Sequence, residues 1–435
     1  MIRDLVAAAA AEELCPTIAW GVVQHGRLTD GEHTDLVFRI ASMTKSFTVA
    51  AILSLRDEGV WRLDDPVAKY APELAAVRGP AGSPPITLHH LMSMSSGLAT
   101  DDAWADRHLD ISADDIDLIY AAGPTFACRP GEAFEYSNLG FGMLGRAVFR
   151  ATGRRVQDVV SERFLRPLGM DDTTWVQPAH DRWARPHRVE DGRSVPDPDP
   201  LLGDGEIAPM GGLWTTVADL AKWVTWLDGP EGPAYRRDMQ RIHTYQGVVE
   251  LAGHRSPMGY GYGLNVRDDE VLGPVVAHSG GLPGYGSNMR WVRGRGVGAI
   301  ALANTTYASM SVLTLKMLHA LHAEGAVPPP APLVSPLLTG AADALVALLN
   351  DWDDRRAEEL FADNVALDES LARRAAAAAT VIARHGSLII DRIEPSQVTS
   401  GTVHLRGSVT EASLQLELQL SPEPSAPVQW YELRG

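Results

Sequence analysis

Residues 37–59 read VFRIASMTKSFTVAAILSLRDEG, an apolar start followed by a longer stretch of helix-forming residues. The first residues predict a short strand, and the stretch after them predicts a long helix that ends at Gly59, since glycine is common just past helix C-termini. Ser42 and Lys45 fall where the predicted strand passes into the predicted helix. The rest of the first domain is arranged around this junction.

Strand patterns lie on both sides of the junction. Residues 17–28, TIAWGVVQHGRL, predict two strands joined by a His-Gly turn. Residues 287–292 and 297–304 are apolar and are joined by Arg-Gly-Arg-Gly, which is typical of a hairpin. Helical stretches are predicted between and after these strands, at 138–152, 218–227 and 308–323. The sequence therefore predicts one domain over residues 1–325, closed by strands from its two ends.

A proline-rich segment, VPPPAPLVSP, separates this domain from the rest of the chain. It predicts a semi-rigid linker over 326–336 and a separate small α+β domain over 337–435. The alternation in LQLELQL at 414–420 predicts a strand of a sheet with one solvated face. Two helices are expected before it, at 341–361 and 367–384. Residues 177–210 show almost no periodicity and are expected to form a long loop region.

Composition limits the function. The 435 residues are 45% hydrophobic and 21% charged, as in globular proteins, and the net charge is 38 − 55 = −17. An acidic surface repels phosphate backbones and anionic lipids, so neither a nucleic-acid partner nor a membrane partner is predicted. Composition leaves the oligomeric state open.

The cysteines and the N-terminus indicate a cytoplasmic protein. Two cysteines, Cys15 and Cys128, cannot build a disulfide framework or a four-ligand zinc site. The N-terminus is alanine-rich and runs into Glu12 and Glu13, which predicts a first helix rather than an export signal. The neighbouring His89 and His90 have no metal-binding partners at helical or loop spacing, so no metal or cofactor is predicted.

Lysine is rare in this chain, which draws attention to Lys45. Only four of the 38 basic residues are lysines, and Lys45 alone has a serine, Ser42, three residues before it. Residues at this spacing share a helix face, and burial can turn a lysine, but not an arginine, into a base. Ser42 and Lys45 therefore form a candidate activated nucleophile. The alternative is a helix-cap serine beside a solvated lysine.

Two further motifs carry reactive or polar groups. Tyr136-Ser137-Asn138 lies at a loop-to-helix junction, where a phenol can relay protons if a neighbouring cation lowers its pKa, and Asn138 can hydrogen-bond a substrate amide or the lysine. The alternative is a helix N-cap behind a core tyrosine. His278-Ser279-Gly280-Gly281 follows an apolar run and can present a backbone N–H to an oxyanion, or can simply form a glycine-rich bend.

The three motifs, in this order, resemble the serine β-lactamase and penicillin-binding-protein superfamily, of which Ser-x-x-Lys is a signature. More narrowly, they are similar to its class C branch, shared with family VIII esterases, D-stereospecific peptidases and acyltransferases. The resemblance covers about residues 17–322. It implies an α+β fold of β-lactamase type, an antiparallel sheet flanked by helices with an additional helical lobe.

The resemblance also implies roles for individual residues. Ser42 is expected to be the nucleophile and Lys45 its proton acceptor. Tyr136 is expected to relay protons to and from the leaving group, and Asn138 to orient Lys45 and the substrate amide. The implied activity is hydrolysis of ester or amide bonds through an acyl-enzyme on Ser42.

The strand at His278 is expected to bind substrate and departs from the family pattern. His278 occupies the position of the lysine in Lys-Thr-Gly, and the oxyanion hole is expected from the N–H groups of Ser42 and Gly281, with Gly280 beside them. Loss of a fixed positive charge removes a group that helps to hold the carboxylate of β-lactams and of D-Ala-D-Ala. This favours esterase, peptidase or acyltransferase activity over antibiotic hydrolysis.

Two other functions stay open at this stage. An acyltransferase or peptide cyclase would use the same acyl-enzyme with an amine or alcohol acceptor. A non-catalytic scaffold would not need the retained reactive residues.

The segment 98–125 holds seven aspartates and one arginine. It is either a solvated loop with helix N-caps or an acidic rim that favours cationic or amine-bearing substrates.

Overall fold

The computed structural model describes residues 1–198, 203–329, 334–410 and 412–435. The chain divides into two units, Met1–Pro329 and Pro330–Gly435. Residues 330–333 of the expected linker and 199–202 of the expected loop lie outside the described residues. No helix in the described part of the chain has the length and apolar character needed to cross a membrane.

An antiparallel eight-stranded sheet forms the centre of the first unit, in the order β2-β1-β12-β11-β10-β9-β8-β7. β3 pairs with β6 and β4 with β5 in two small separate sheets. The strands in chain order are β1 (Ile18–Gln24), β2 (Arg27–Glu32), β3 (Phe38–Arg39), β4 (His187–Glu190), β5 (Arg193–Pro196), β6 (Trp214–Thr215), β7 (Thr244–Leu251), β8 (His254–Tyr260), β9 (Asn265–Asp269), β10 (Gly273–Leu282), β11 (Tyr285–Val292) and β12 (Val297–Ala303).

Helices cover both faces of this sheet. They are α1 (Ile2–Glu12), α2 (Thr44–Asp57), α3 (Leu88–Met92), α4 (Asp102–Ala105), α5 (Ala113–Ala122), α6 (Asn138–Thr152), α7 (Val156–Val160), α8 (Val217–Asp228), α9 (Tyr235–Met239) and α10 (Met310–Ala323). α1 and α10 pack on one face, and the larger helical layer with α2, α6 and α8 packs on the other. Helices on both faces explain why the central strands are apolar throughout rather than alternating.

Side-chain alternation along β1 and β12 shows how the two layers share the sheet. In β1, Ala19 and Val23 face the larger helical layer, whereas Trp20 and Val22 face α1 and α10. Successive residues of a strand point to opposite faces, so a fully buried strand needs two hydrophobic sides. β1 pairs with β12, with Ile18 opposite Ala303, so strands from the two ends of the unit are neighbours.

The helices α2 and α6 begin differently. The serine precedes α2 in a 3₁₀ turn, Ala41–Met43, so the predicted strand does not enter the α-helix directly. α6 has the predicted bounds; its N-cap Ser137 accepts a hydrogen bond from Gly140 N, and it ends at Gly153 in the left-handed region. The expected loop at 177–210 contains the hairpin of β4 and β5, which its sequence did not indicate.

The second unit has its own core and a four-stranded antiparallel sheet. Its helices are α11 (Pro336–Asn350), α12 (Asp354–Leu360), α13 (Asp363–Asp368) and α14 (Leu371–His385), and its strands are β13 (Leu388–Gln397), β14 (Ser400–Gly407), β15 (Ser413–Leu420) and β16 (Val428–Arg434). The apolar residues of β15 are buried and its polar residues lie on the other face, as predicted. The single helix predicted over 341–361 is wrong, because Asp353 caps a new helix by accepting from Arg356 N. The predicted α+β fold class is confirmed.

Candidate active site

Ser42 lies in the 3₁₀ turn that leads into α2, and its side chain is buried. The preceding Ala41 has φ +48°, a left-handed conformation that costs a residue with a Cβ about 1–3 kcal/mol. Ile40 holds the turn in place: its N–H donates to Leu213 O at 3.1 Å, and its carbonyl accepts from Ser287 Oγ at 2.9 Å. The backbone around Ser42 is therefore strained and fixed by neighbouring elements.

The Lys45 side chain contacts three oxygen atoms. Its Nζ lies 2.8 Å from Ser42 Oγ, 2.7 Å from Asn138 Oδ1 and 3.0 Å from Met210 O. The oxygens of Asn138 and Met210 can only accept, whereas a serine hydroxyl can also donate. In an uncharged amine the two hydrogens therefore go to Asn138 and Met210, and the lone pair faces Ser42.

Burial sets the protonation of Lys45. The side chain has no exposed surface, and burial lowers its pKa to about 7, although the charges of Asp102, Asp106 and Asp101 oppose the change. A large share of Lys45 is therefore uncharged near neutral pH. The alternative of a solvated lysine is wrong for this residue.

Asn138 is held by carboxylates on the side away from Lys45. Its Nδ2 donates to Asp101 Oδ1 at 3.1 Å and to Asp102 Oδ1 at 2.8 Å. Because carboxylates only accept and an ammonium only donates, the amide orientation is fixed with Oδ1 towards Lys45. Both amide hydrogens are already donated, so a substrate can approach only Oδ1, which accepts.

The acidic segment lies against this site. Asp101 accepts from the backbone N–H groups of Asn138 and Leu139, at 2.7 and 2.9 Å, and so caps the start of α6. Further along the segment, Ser112 caps α5 by accepting from Asp115 N. Part of the segment is thus a helix cap, and Asp101, Asp102 and Asp106 of the same segment act electrostatically on Lys45.

Tyr136 reaches the serine from the loop before α6. Its hydroxyl is close enough to Ser42 for the serine to lower its pKa, and Lys45 Nζ lies 4.8 Å from the centre of its ring. The lowering of its pKa by a neighbouring cation is not found: burial raises the pKa well above its usual value. Tyr136 is therefore a neutral phenol at neutral pH, able to donate and accept a hydrogen bond.

His278 lies in β10 with both ring nitrogens engaged. Nδ1 is 2.6 Å from Ser279 O, which can only accept, so Nδ1 carries the hydrogen and Nε2 accepts from the Tyr260 hydroxyl at 2.9 Å. Burial, aided by the charge of Lys45, lowers the pKa of His278 to about 3. The ring is 6.5 Å from that of Tyr136 between centroids and carries no charge near neutral pH.

The two glycines after His278 allow close approach. A Cβ on Gly280 would lie 2.1 Å from Ile40 O, so only glycine lets β10 rest against the turn that holds Ser42. A Cβ on Gly281 would lie 2.7 Å from the ring of Tyr307. The strand thus brings the backbone of Gly280 against the serine turn, while the oxyanion role of Gly281 stays a prediction.

Two tyrosines at the site were not found from the sequence. Tyr260 engages His278, and Tyr307 packs over Gly281 with its hydroxyl donating to Asp106 Oδ2 at 2.9 Å. Burial raises the pKa of Asp106 to about 6, against the effect of the Tyr307 hydrogen bond. Neither tyrosine belongs to a motif, and no sequence spacing links Tyr307 to its partner.

Comparison with known proteins covers most of the chain. The model of the beta-lactamase family matches residues 2–324. Esterase EstB of Burkholderia gladioli is 28% identical over 333 residues, which are 66% of this chain and 83% of EstB. The D-alanyl-D-alanine-carboxypeptidase/endopeptidase AmpH of Escherichia coli K12 is 28% identical over 293 residues, 64% of this chain and 74% of AmpH.

Solved structures share the fold at lower identity. The octameric penicillin-binding protein homologue from Pyrococcus abyssi superposes with a TM-score of 0.65 at 19% identity, over 100% of this chain and 99% of that one. The D-stereospecific amidohydrolase from Streptomyces sp. gives a TM-score of 0.56 at 23% identity, over 71% of this chain and 97% of that one. At these identities the likeness concerns the fold alone.

Proposed function

Because the chain belongs to the beta-lactamase family, we propose that Ser42 attacks the carbonyl carbon of an ester or amide and carries its acyl group. The chain is a serine hydrolase of ester or amide bonds. The observation that carries the proposal for Ser42 is the 2.8 Å approach of Lys45 Nζ to its Oγ, with the pKa of the lysine lowered to about 7.

In the first step the lone pair of uncharged Lys45 accepts the Ser42 proton while Oγ bonds to the carbonyl carbon. Electrons of the C=O bond move to oxygen, and the N–H groups of Ser42 and Gly281 are the proposed donors to that oxyanion. Asn138 keeps Lys45 in place throughout, since its carbonyl oxygen accepts from Nζ at 2.7 Å.

In the second step the leaving group takes a proton. The Tyr136 hydroxyl donates its hydrogen to the departing oxygen or nitrogen and receives one from the Lys45 ammonium. Water then attacks the carbonyl carbon of the acyl-enzyme and gives one proton to Lys45 along the same path. When the bond between that carbon and Ser42 Oγ breaks, Oγ takes the proton from the Lys45 ammonium, which restores Ser42 and uncharged Lys45 and releases the acid. A neutral phenol suits this exchange, because a tyrosinate would only accept.

Neutral His278 bears on the choice of substrate. A lysine in its place would offer a charge to a substrate carboxylate, whereas the buried imidazole has both nitrogens engaged. We therefore assign small esters or peptides without an essential carboxylate as substrates. A cytoplasmic location belongs to the same proposal and is supported by the two cysteines, which are free thiols.

Intact-mass measurement tests the function. The full chain is incubated separately with an activated ester, a D-peptide ester and a β-lactam, and both the protein mass and the released products are followed. A transient acyl adduct that maps to Ser42 and decays to free acid is expected for the ester. Absence of an adduct and of product with all three substrates would refute the proposal, and transfer to an added amine faster than to water would point to an acyltransferase.

A further inference from the structure

A second cluster of chemically capable side chains lies away from Ser42. His254 of β8, Asp269 of β9 and His319 of α10 each offer one ligand atom, and these atoms lie within 4.8 Å of one another. Val275 packs under α1 and α10 and pairs with Arg267, two residues before Asp269 on the same side of β9. The cluster therefore faces α10, on the opposite side of the sheet from the helical layer around Ser42.

We propose that His254, Asp269 and His319 bind a zinc-class divalent metal ion that ties α10 to the β8–β9 edge of the sheet. Two imidazoles and one carboxylate form a ligand set that zinc and its neighbours in the transition series accept, whereas magnesium and calcium prefer oxygen ligands alone. The three ligands come from three separate elements, so the ion would join parts of the fold that are distant in sequence.

The carboxylate is oriented before any metal arrives. Asp269 Oδ1 accepts from the N–H groups of Val271 and Leu272, at 3.0 and 3.1 Å, which leaves Oδ2 towards His319. Oδ2 lies 3.2 Å from His319 Nε2. Two ligands at 2.0–2.1 Å on a tetrahedral zinc ion are separated by about 3.3 Å, so this pair already has the spacing that an ion requires.

His254 completes the set after a small movement. Its ring is stacked on that of His319, with centroids 4.2 Å apart and 8° between the planes. The lone pairs of parallel rings do not converge, so His254 must rotate about χ2 to share an ion with His319. It lies directly after the turn between β7 and β8 and is partly exposed, which permits this rotation.

Two neighbouring residues affect how tightly the cluster would bind a metal ion. His322 follows His319 by one helical turn and lies outside the three-residue cluster, so water would fill the fourth position on the ion. Arg267 donates to the backbone carbonyl of His254, and its charge opposes that of an added cation. The single negative charge of Asp269 must offset the charge of Arg267 and that of the metal ion. We therefore expect weaker metal binding than at a zinc site with four anionic ligands.

The experiment uses the full chain, stripped of metal with a chelator and titrated with zinc chloride by calorimetry and by thermal melting. One saturable equivalent of zinc and a higher melting midpoint are expected, because an ion that binds only the folded state stabilises it. Magnesium chloride should do neither. His254→Ala and His319→Ala should each weaken zinc binding at least ~10-fold, the lower end of the loss seen when a group that supports a metal site is removed.

His404→Ala is the matched control, since His404 Nε2 lies 3.0 Å from Glu394 Oε2 in a pair without a second imidazole. It should bind zinc like the wild type. Absence of saturable zinc binding by the wild type, or equal binding by His254→Ala and the wild type, would overturn the proposal. His254 is partly exposed next to a turn, so its variant should fold even if His319→Ala does not. Ester hydrolysis without zinc separates this outcome from failure of the proposed hydrolase function.

Discussion

Asp102 is joined to the reactive lysine through a single side chain: its Oδ1 accepts from Asn138 Nδ2 at 2.8 Å, and Asn138 Oδ1 accepts from Lys45 Nζ at 2.7 Å. The carboxylate therefore has two effects on Lys45. It fixes the amide that holds the amine, and its negative charge raises the pKa of Lys45 against the effect of burial. These effects can be separated by a substitution that keeps the acceptor and removes the charge.

Asp102→Asn should shift the pH dependence of hydrolysis towards acid. The asparagine oxygen still accepts from Asn138, but the lost negative charge no longer favours the ammonium, so the pKa of Lys45 falls below about 7. The uncharged base then persists to lower pH, and the acid limb of the kcat/KM profile moves down. The shift should shrink at high salt, because Asp102 is exposed. Asp114→Asn, an exposed acid of the same segment, is the control; a limb that moves upwards would contradict the argument.

The sequence could predict the parts of the site that depend on local spacing. Ser42 and Lys45 are three residues apart on one helical turn, so their contact follows from helix geometry. Tyr136, Asn138 and His278 could be associated with them only because the three motifs occur together in one superfamily. The α+β fold could be predicted from strand and helix patterns, whereas the β4–β5 hairpin could not, since its residues have no apolar alternation.

The remaining site residues could not be predicted, because their partners are set by tertiary packing. Asp102 is 36 residues from Asn138, and Tyr307 is 201 residues from Asp106. An aspartate-rich segment gives no sign of which carboxylate turns towards the lysine. The neutrality of His278 likewise depends on its burial and on the nearby charge of Lys45, and no motif specifies either.

Ser42→Ala should abolish covalent labelling by a fluorophosphonate probe while the protein stays folded. The variant removes one hydroxyl, and Lys45 keeps its contacts with Asn138 and Met210. Intact mass measures the labelling, and circular dichroism checks the fold. Labelling of the alanine variant at the wild-type rate would show that another residue is the nucleophile.

Lys45→Arg should lose at least ~10³-fold in kcat/KM, about 4 kcal/mol of transition-state stabilisation. A guanidinium stays charged and cannot accept the proton of Ser42. Lys222→Arg is the matched control, because Lys222 is half exposed and its hydrogen bonds go to the Asp219 carboxylate and the Gly169 carbonyl rather than to Ser42. Steady-state kinetics on an activated ester measures both. An arginine variant of Lys45 within tenfold of the wild type would mean that this residue supplies only charge.

Short-chain esters should be turned over faster than penicillins. His278 has a pKa of about 3 and both nitrogens engaged, so it offers no cation to the penicillin carboxylate. A hydrogen bond to a charged group contributes about 1.5–3 kcal/mol, which corresponds to about 10- to 150-fold in kcat/KM. Parallel assays with an activated acetate ester and benzylpenicillin measure the ratio, and comparable values would show that another group holds the carboxylate.

Tyr307→Ala should widen the range of acyl groups that the enzyme accepts. The Tyr307 ring packs against Gly281 and is fixed by its hydrogen bond to Asp106, so it borders the strand that faces the proposed acyl position. Removing the ring should raise kcat/KM for a bulky acyl ester relative to an acetate ester by about tenfold. This is the lower end of the change in kcat/KM that one added or missing methylene causes in a hydrophobic pocket. Tyr307→Phe keeps the ring, so under this argument it should resemble the wild type in the ratio. If Tyr307→Ala leaves the ratio of the two kcat/KM values unchanged and Tyr307→Phe alters it, the hydrogen bond to Asp106 determines which acyl groups are accepted and the ring does not.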